Sequence, residues 1–224
     1  MFQDMTVKEL FPTPVWLVDL QPQVYEPLNA FLLSRIESLV SPRPPIPIGS
    51  TWQSDPVLHR LDDFRAFTAI VREAVQGVMR FLELDAGAFE ITGCWANINP
   101  TGGLNSSHCH PNNFLSGVYY VSVPKGSGRI EFADPRPQAT VIFPPVKHWN
   151  RFNGNKVVIE AKVGRLILFP AWLNHSVAVN RTPHERVSLS FNVMFSSFTE
   201  AMSKPLWRGT APVRRADAPS GDHE

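Results

Sequence analysis

Apolar residues recur at two different periods along the chain, and the period changes near residue 88. Before that point they recur every three or four residues, which is typical of helices with one buried face. The first stripe ends at the proline cluster SPRPPIPIG, and a broader stripe runs from Asp63 to Leu84. The first stripe comprises Tyr25, Leu28, Phe31, Leu32, Ile36, Leu39 and Val40. We therefore predict two helices that cover a sheet.

After residue 88, short runs of β-branched and aromatic residues alternate with Gly, Pro and Asn. Such spacing favours an antiparallel sandwich or jelly roll, so the predicted fold class is mainly β with flanking helices. The earlier run TPVWLVDL is a candidate edge strand. The eight predicted strands are FEITGCWANIN, SGVYYVSV, GRIEF, ATVIF, KVVIEA, RLILF, HSVAV and RVSLSFNVMF.

This pattern predicts one domain over residues 1–202. Its helical support spans 20–86, and its jelly-roll core spans 88–198. From residue 203 to 224 the chain is polar and rich in Pro, Arg, Asp and Gly. Such a composition cannot bury enough apolar surface to hold the chain in place, so we expect a loosely ordered tail.

Composition and charge exclude several classes of protein. The chain has 224 residues, 43% of them hydrophobic, and a formal net charge of +1 without a basic stripe, so nucleic acid is not an expected partner. The longest apolar stretch, LILFPAWL, is too short to cross a bilayer, and the amino terminus lacks a secretory signal. Two cysteines are too few for a disulfide framework, which favours a cytoplasmic protein.

Three histidines are candidate metal ligands. His108 and His110, in the run NSSHCHPNN, are two residues apart, and alternate residues of an extended segment project from the same face. His175 opens a later strand, which a jelly roll can place beside the first pair. Three imidazoles suit iron, zinc, copper or nickel and leave coordination positions open, so we predict a catalytic metal site.

A carboxylate anchor is predicted downstream of these histidines. Arg186 and Ser188 share one face of the strand RVSLSFNVMF. A buried arginine beside a metal requires an anionic partner, and its planar guanidinium binds a carboxylate through two parallel hydrogen bonds. A dicarboxylic cosubstrate fits this pair, with one end on the metal and the other at Arg186. Arg165 and Arg181 are alternatives for the same role.

With these residues in view, the chain resembles the 2-oxoglutarate- and Fe(II)-dependent oxygenases, in the branch related to prolyl hydroxylases. The resemblance covers about Trp95 to Phe195 and rests on the motifs HCH, GVYYV, GRLILFPAWLNH and RVS. It implies a double-stranded β-helix, the cofactors Fe(II) and 2-oxoglutarate, and hydroxylation of a substrate coupled to decarboxylation of 2-oxoglutarate to succinate. The residues that it implies are the iron ligands His108 and His175, the 2-oxoglutarate anchor Arg186 with Ser188, and the pocket residues Tyr119 and Asn97.

The chain departs from this family at His110, where the usual ligand is Asp or Glu. A neutral imidazole brings no negative charge to the metal. We expect His110 to be the third ligand, with Asp134 in the run EFADPRP as the alternative. Expected partners are molecular oxygen and a small-molecule or peptide substrate, and a homodimer stays open. Two other functions also stay open: a three-histidine, cupin-like dioxygenase that does not use 2-oxoglutarate, and a non-catalytic binding module.

Overall fold

Two long helices precede most of the strands, as the apolar periodicity predicts. The structure, a computed structural model, describes residues 2–85, 87–142, 144–199 and 209–211. Its helices are α1 (Pro22–Val40), α2 (Arg65–Phe81) and the short α3 (Ser196–Thr199), with 3-10 turns at Leu58–Arg60, Asp62–Phe64 and Pro137–Thr140. The regular spacing of apolar residues in α1 and α2 gives each helix one buried face. None of the described helices is long and apolar enough to span a membrane.

The described strands form two sheets, and every strand pair within them is antiparallel. The larger sheet has the order β1-β8-β5-β10-β3-β2 and the smaller sheet the order β4-β9-β6-β7. The strands are β1 (Trp16–Asp19), β2 (Trp52–Gln53), β3 (Phe89–Asn99), β4 (Asn105–His108), β5 (Leu115–Ser122), β6 (Arg129–Ala133), β7 (Lys156–Glu160), β8 (Arg165–Pro170), β9 (His175–Val177) and β10 (Arg186–Phe195). The mainly β fold, with its helices on one side, is confirmed, and β1 is the predicted edge strand.

The larger sheet contributes to two separate cores. On one face it packs against the helices, where the Phe67 ring of α2 lies 5.4 Å from the Tyr119 ring and 6.3 Å from the Phe191 ring, measured between centroids. On the other face it packs against the smaller sheet, where Phe132 and Phe169 are 5.0 Å apart. Because successive side chains of a strand alternate, neighbouring residues enter different cores.

One predicted strand is wrong, and two strands, β2 and β4, were not predicted. The run ATVIF does not form a strand over its described residues: it begins in a 3-10 helix, and Val141 and Ile142 are 79% and 82% exposed. Prolines on both sides of the run lack the N–H that a ladder requires. Conversely, β4 has the polar sequence NSSH, so it carries no apolar alternation from which to predict it.

Part of the predicted tail contacts the larger sheet. The backbone N–H of Ala211 donates to the carbonyl of Gln53 at 2.9 Å, and the N–H of Gln53 donates to Thr210 Oγ at 3.0 Å. Ala211 is 1% exposed. The rest of the segment 203–224 lies outside the described residues, and the domain boundaries stay a prediction.

Candidate active site

Strand pairing brings the histidines together. In the register of β4 and β9, His108 lies directly opposite His175. His110 follows the end of β4, and its backbone N–H donates to the carbonyl of Ala171 at 2.8 Å. This bond holds His110 beside the end of β8. Two segments separated by 65 positions of sequence thus meet at one place, as the jelly-roll topology predicts.

The three imidazoles form a compact cluster. Ring centroids are 4.4 Å apart for His108 and His175, 5.0 Å for His108 and His110, and 5.2 Å for His110 and His175. One ligand nitrogen from each ring lies within 4.8 Å of the others. This arrangement fits a metal ion held through three nitrogen ligands.

Backbone carbonyls orient two of the rings. His108 Nδ1 lies 2.7 Å from the carbonyl oxygen of Ser106, and His175 Nδ1 lies 3.0 Å from that of Leu173. A carbonyl oxygen can only accept, so Nδ1 carries the proton in both rings and Nε2 keeps its lone pair for a metal.

Burial keeps His110 and His175 neutral. It lowers the pKa of His110 to about 3 and the pKa of His175 to about 4, with smaller contributions from the neighbouring histidines. A metal ion competes with protons for imidazole nitrogen, so a ring that is already deprotonated at neutral pH binds metal without that competition.

Asp134 does not supply the missing carboxylate. Its carboxylate accepts hydrogen bonds from the Arg136 side chain at 2.7 and 3.0 Å. This ion pair lowers the pKa of Asp134. Among the described residues, the cluster of potential metal ligands contains His108, His110 and His175 and no acidic side chain. The geometry therefore contradicts the alternative in which Asp134 completes the metal site.

Arg186 is a buried cation with an incomplete set of partners. It opens β10, is 1% exposed, and donates from Nη1 to the carbonyl of Ser127 at 2.7 Å. Its Nε is buried without a hydrogen-bond partner, and no described acidic residue forms an ion pair with it. Burial lowers the pKa of this guanidinium from its ordinary value. A desolvated charge with a free donor fits an anionic ligand.

The histidine cluster and Arg186 line one pocket. Ser188 and Asn97, which are opposite each other in the register of β10 and β3, lie in the same wall. Asn97 donates from Nδ2 to Ser190 Oγ at 2.9 Å and accepts from Gln53 Nε2 at 2.8 Å, so its amide is fixed in orientation. The full lining is Gln53, Trp95, Asn97, Asn99, Asn105, His108, His110, Gly117, Val118, Tyr120, Ile130, Phe169, His175, Val177, Arg186, Ser188 and Ser190.

Tyr119 does not line this pocket, which corrects the expectation that it contacts the cosubstrate. Its side chain projects from the helix-facing side of β5, where its hydroxyl donates to Asn29 Oδ1 at 2.7 Å. The next residue, Tyr120, is 2% exposed and lines the pocket instead. Burial raises the pKa of Tyr120 to about 12, so its hydroxyl stays protonated at neutral pH.

Several polar residues of the wall were missed by the sequence reasoning. Asn99 follows Asn97 by two positions, and Ser190 follows Ser188 by two, so strand alternation alone places each on the pocket side. Gln53 had no such signal, because it reaches the pocket only through the short edge strand β2.

Comparison with known proteins agrees with this geometry. Residues 93–192 match the family model described as "Putative 2OG-Fe(II) oxygenase", where 2OG is 2-oxoglutarate. This segment runs through β3 to β10 and includes the three histidines, Arg186 and Ser188. No curated protein sequence matches the chain.

Solved structures share the fold at low sequence identity. The non-heme alpha-ketoglutarate (2-oxoglutarate) dependent epimerase SnoN from nogalamycin biosynthesis is 16% identical, with 91% of this chain and 94% of that chain covered and a TM-score of 0.59. A Pseudomonas putida prolyl-4-hydroxylase is 16% identical, with coverage of 80% and 92% and a TM-score of 0.53. HygX from Streptomyces hygroscopicus, solved with nickel and 2-oxoglutarate, is 12% identical, with coverage of 82% and 83% and a TM-score of 0.55.

The fold is thus the double-stranded β-helix that these oxygenases share. The segment that matches the family model, residues 93–192, lies within this fold and carries the histidine cluster and Arg186.

Proposed function

We propose that this protein is a 2-oxoglutarate- and Fe(II)-dependent dioxygenase that hydroxylates its substrate, with a site built on His108, His110, His175 and Arg186. The observation that carries the proposal is the presence of two kinds of binding group in one pocket. Three clustered imidazoles can hold a metal ion, and a buried guanidinium that forms no ion pair with a described acidic residue can bind an anion. A metal with a chelating dicarboxylate fits both groups.

Each wall residue has a role in this proposal. The three histidines hold the iron through nitrogen, and Arg186 binds the far carboxylate of 2-oxoglutarate. Ser188 and Tyr120 donate hydroxyl hydrogen bonds beside it, and the fixed amide of Asn97 orients the ligand. When bound, Fe(II) supplies the oxygen chemistry that couples hydroxylation to the decarboxylation of 2-oxoglutarate to succinate. The protein contributes orientation and a pocket from which water is excluded.

The histidine at position 110 changes the charge of the site. Compared with a site that has two histidines and a carboxylate, the iron keeps one more unit of positive charge. The dianionic cosubstrate then supplies all the negative charge near the metal. We therefore expect Fe(II) and 2-oxoglutarate to bind cooperatively, each raising the affinity of the other.

An anaerobic titration with Fe(II) and 2-oxoglutarate tests the proposal. Chelation of the iron by the keto acid is expected to give a visible charge-transfer band, and binding of either component is expected to tighten in the presence of the other. Metal binding without a band or coupling would indicate the cupin-like dioxygenase that does not use 2-oxoglutarate. Absence of metal binding would indicate the non-catalytic module.

Metal content tests the role of His110. We expect iron occupancy to fall in His110→Ala and to be retained in His110→Asp, because the carboxylate can replace the imidazole as a ligand. His184→Ala is a suitable control, since His184 is exposed and does not belong to the cluster. Full occupancy in His110→Ala would show that this side chain is not a ligand.

The substrate is proposed to be a small molecule or a peptide. Succinate release, measured with product mass across free amino acids, peptides and small metabolites, identifies it.

We also propose a cytoplasmic location, supported by two free cysteines. Cys94 is buried, and burial raises the pKa of its thiol, which makes it unreactive.

A further inference from the structure

The smaller sheet ends in an exposed strand. β7 pairs with β6 on one side, and on its other side no described strand follows. Val157 and Val158 of β7 are 58% and 41% exposed. None of the backbone hydrogen bonds among the described residues joins this outer side of β7 to another segment. The edge therefore offers a row of backbone donors and acceptors to another chain.

The sequence of β7 is chemically complementary to itself. Two copies of Lys156–Glu160 placed antiparallel about Val158 set Lys156 opposite Glu160 at both ends. The same register sets Val157 opposite Ile159, and Val158 opposite its own copy. Charge thus meets opposite charge, and apolar side chains meet apolar side chains, at every position of the strand.

The two faces of the strand are consistent with this register. Val157 and Ile159 are opposite Phe132 and Ile130 of β6, so they lie on the side of the inner core. Lys156 and Glu160 lie on the outer side, where each already contacts an opposite charge on β6: Lys156 Nζ is 2.7 Å from Glu131, and Glu160 is 3.3 Å from Arg129. A second copy would extend this alternation of charges across the new strand pair.

We propose that the protein self-associates through β7, so that the smaller sheets of two copies join into one continuous antiparallel sheet about a two-fold axis. Antiparallel pairing of identical strands gives a closed dimer, because the same edge is used by both copies. In the strand order, β9, which carries His175, is separated from β7 by β6, so the dimer leaves the histidine cluster open. The proposal is independent of the proposed catalytic function.

The expected dimer is weak. Stable interfaces bury about 1,200–2,000 Å² in total, which exceeds what a five-residue strand pair can cover. Exposed apolar side chains before the Lys156 end, Ile142 at 82% and Phe152 at 61%, add contact area. We therefore expect a dimer that forms in the micromolar range and dissociates on dilution.

Charge reversal with mixing tests this register directly. Sedimentation velocity of the full chain over a wide concentration range is expected to show a reversible monomer–dimer equilibrium. Lys156→Glu places Glu at both ends of the edge and Glu160→Lys places Lys at both, so each variant alone is expected to lose at least tenfold in dimer affinity. An equimolar mixture of the two variants is expected to recover a dimer, which must be a heterodimer.

Two controls separate pairing from folding. Lys8→Glu and Glu26→Lys make the same charge reversals at exposed positions outside β7 and are expected to leave association unchanged. The double variant Lys156→Glu/Glu160→Lys restores opposite charges across the dimer and is expected to associate like the parent chain. A parent chain that stays monomeric at all concentrations, a dimer that tolerates each single reversal, or a mixture without heterodimer would overturn the proposal.

Discussion

The two faces of the larger sheet have opposite characters, although the same strands build both. On β10, Leu189, Phe191 and Val193 are fully buried under the helices, whereas Arg186 and Ser188 line the pocket on the other face. The helix face is mainly apolar, and its core residues are buried. The pocket face has buried polar atoms without protein partners, including Arg186 Nε and Asn99 Oδ1. Strand alternation thus assigns stability to one set of residues and the proposed chemistry to the other.

The largest expected effect lies on the helix face. Phe191 is fully buried, and its ring fills the space above Gly117, where an added Cβ would lie 2.3 Å from it. Phe191→Ala is expected to lower the free energy of unfolding by about 3–5 kcal/mol, because it removes apolar contacts and leaves a cavity. Urea denaturation measures this loss. If the comparison of faces is right, 2-oxoglutarate affinity of the folded variant stays near that of the parent chain.

The second largest expected effect lies on the pocket face, where ligand affinity falls and stability does not. Arg186→Met is expected to weaken 2-oxoglutarate binding by about 2–5 kcal/mol, because the ligand's far carboxylate loses its buried partner. The free energy of unfolding should be unchanged or higher, since an unpaired buried charge is removed. Calorimetric titration and urea denaturation measure the two quantities.

Arg165→Met is the matched control for that variant. Arg165 pairs with Asp19 of the edge strand β1, at 2.7 and 2.9 Å, and does not line the pocket. It is expected to keep 2-oxoglutarate affinity. Equal losses of affinity in both arginine variants would contradict the anchor role of Arg186.

Sequence patterns predicted the features that depend on local periodicity. The stripes of α1 and α2, most strands, and the two-residue spacing of His108 and His110 are all visible in the order of residues. Arg186 was predictable because a strand that opens with arginine and continues in apolar residues requires an anion if that end is buried.

What could not be predicted depends on tertiary pairing. The run GVYYV is apolar on both faces, so alternation did not decide whether Tyr119 or Tyr120 enters the pocket. β4 is polar and, among the described strands, pairs with β9 alone. Gln53 joins the wall because β2 pairs with β3, 44 residues later in the chain. Such contacts are set by the global topology, and no local pattern records them.

The pH dependence of stability tests the two regions through one histidine in the pocket, His175, and one outside it, His59. Burial lowers the pKa of His175 to about 4, and burial with nearby arginines lowers the pKa of His59 to about 4, outside the pocket. In the unfolded chain both titrate near 6.5, so the unfolded state binds more protons between about pH 4 and 6.5. The metal-free protein should therefore lose stability as pH falls through this window, by up to about 1.4 kcal/mol per pH unit for each histidine.

Urea denaturation of the metal-free protein at several pH values measures this pH dependence of stability. His175→Gln and His59→Gln should each flatten the dependence. A saturating metal should leave the slope in this window unchanged and extend it below about pH 4 for the ligand His175, because the bound ion keeps that ring deprotonated while the unfolded chain still takes up a proton. A metal that also extended the contribution of His59 below about pH 4 would contradict the separation of the two regions.

The smallest expected effect tests the two faces at adjacent positions. Tyr119→Phe removes the hydrogen bond to Asn29 and should lower the free energy of unfolding by about 1 kcal/mol, with 2-oxoglutarate affinity unchanged. Tyr120→Phe should leave stability nearly unchanged and weaken 2-oxoglutarate binding by about 1 kcal/mol, because its hydroxyl faces the pocket beside Arg186. Denaturation and calorimetry of both variants measure a crossed pattern. Each variant removes a single hydroxyl, one from each face of β5. If both variants lose stability, or both lose 2-oxoglutarate affinity, then alternation along β5 does not separate stability from ligand binding.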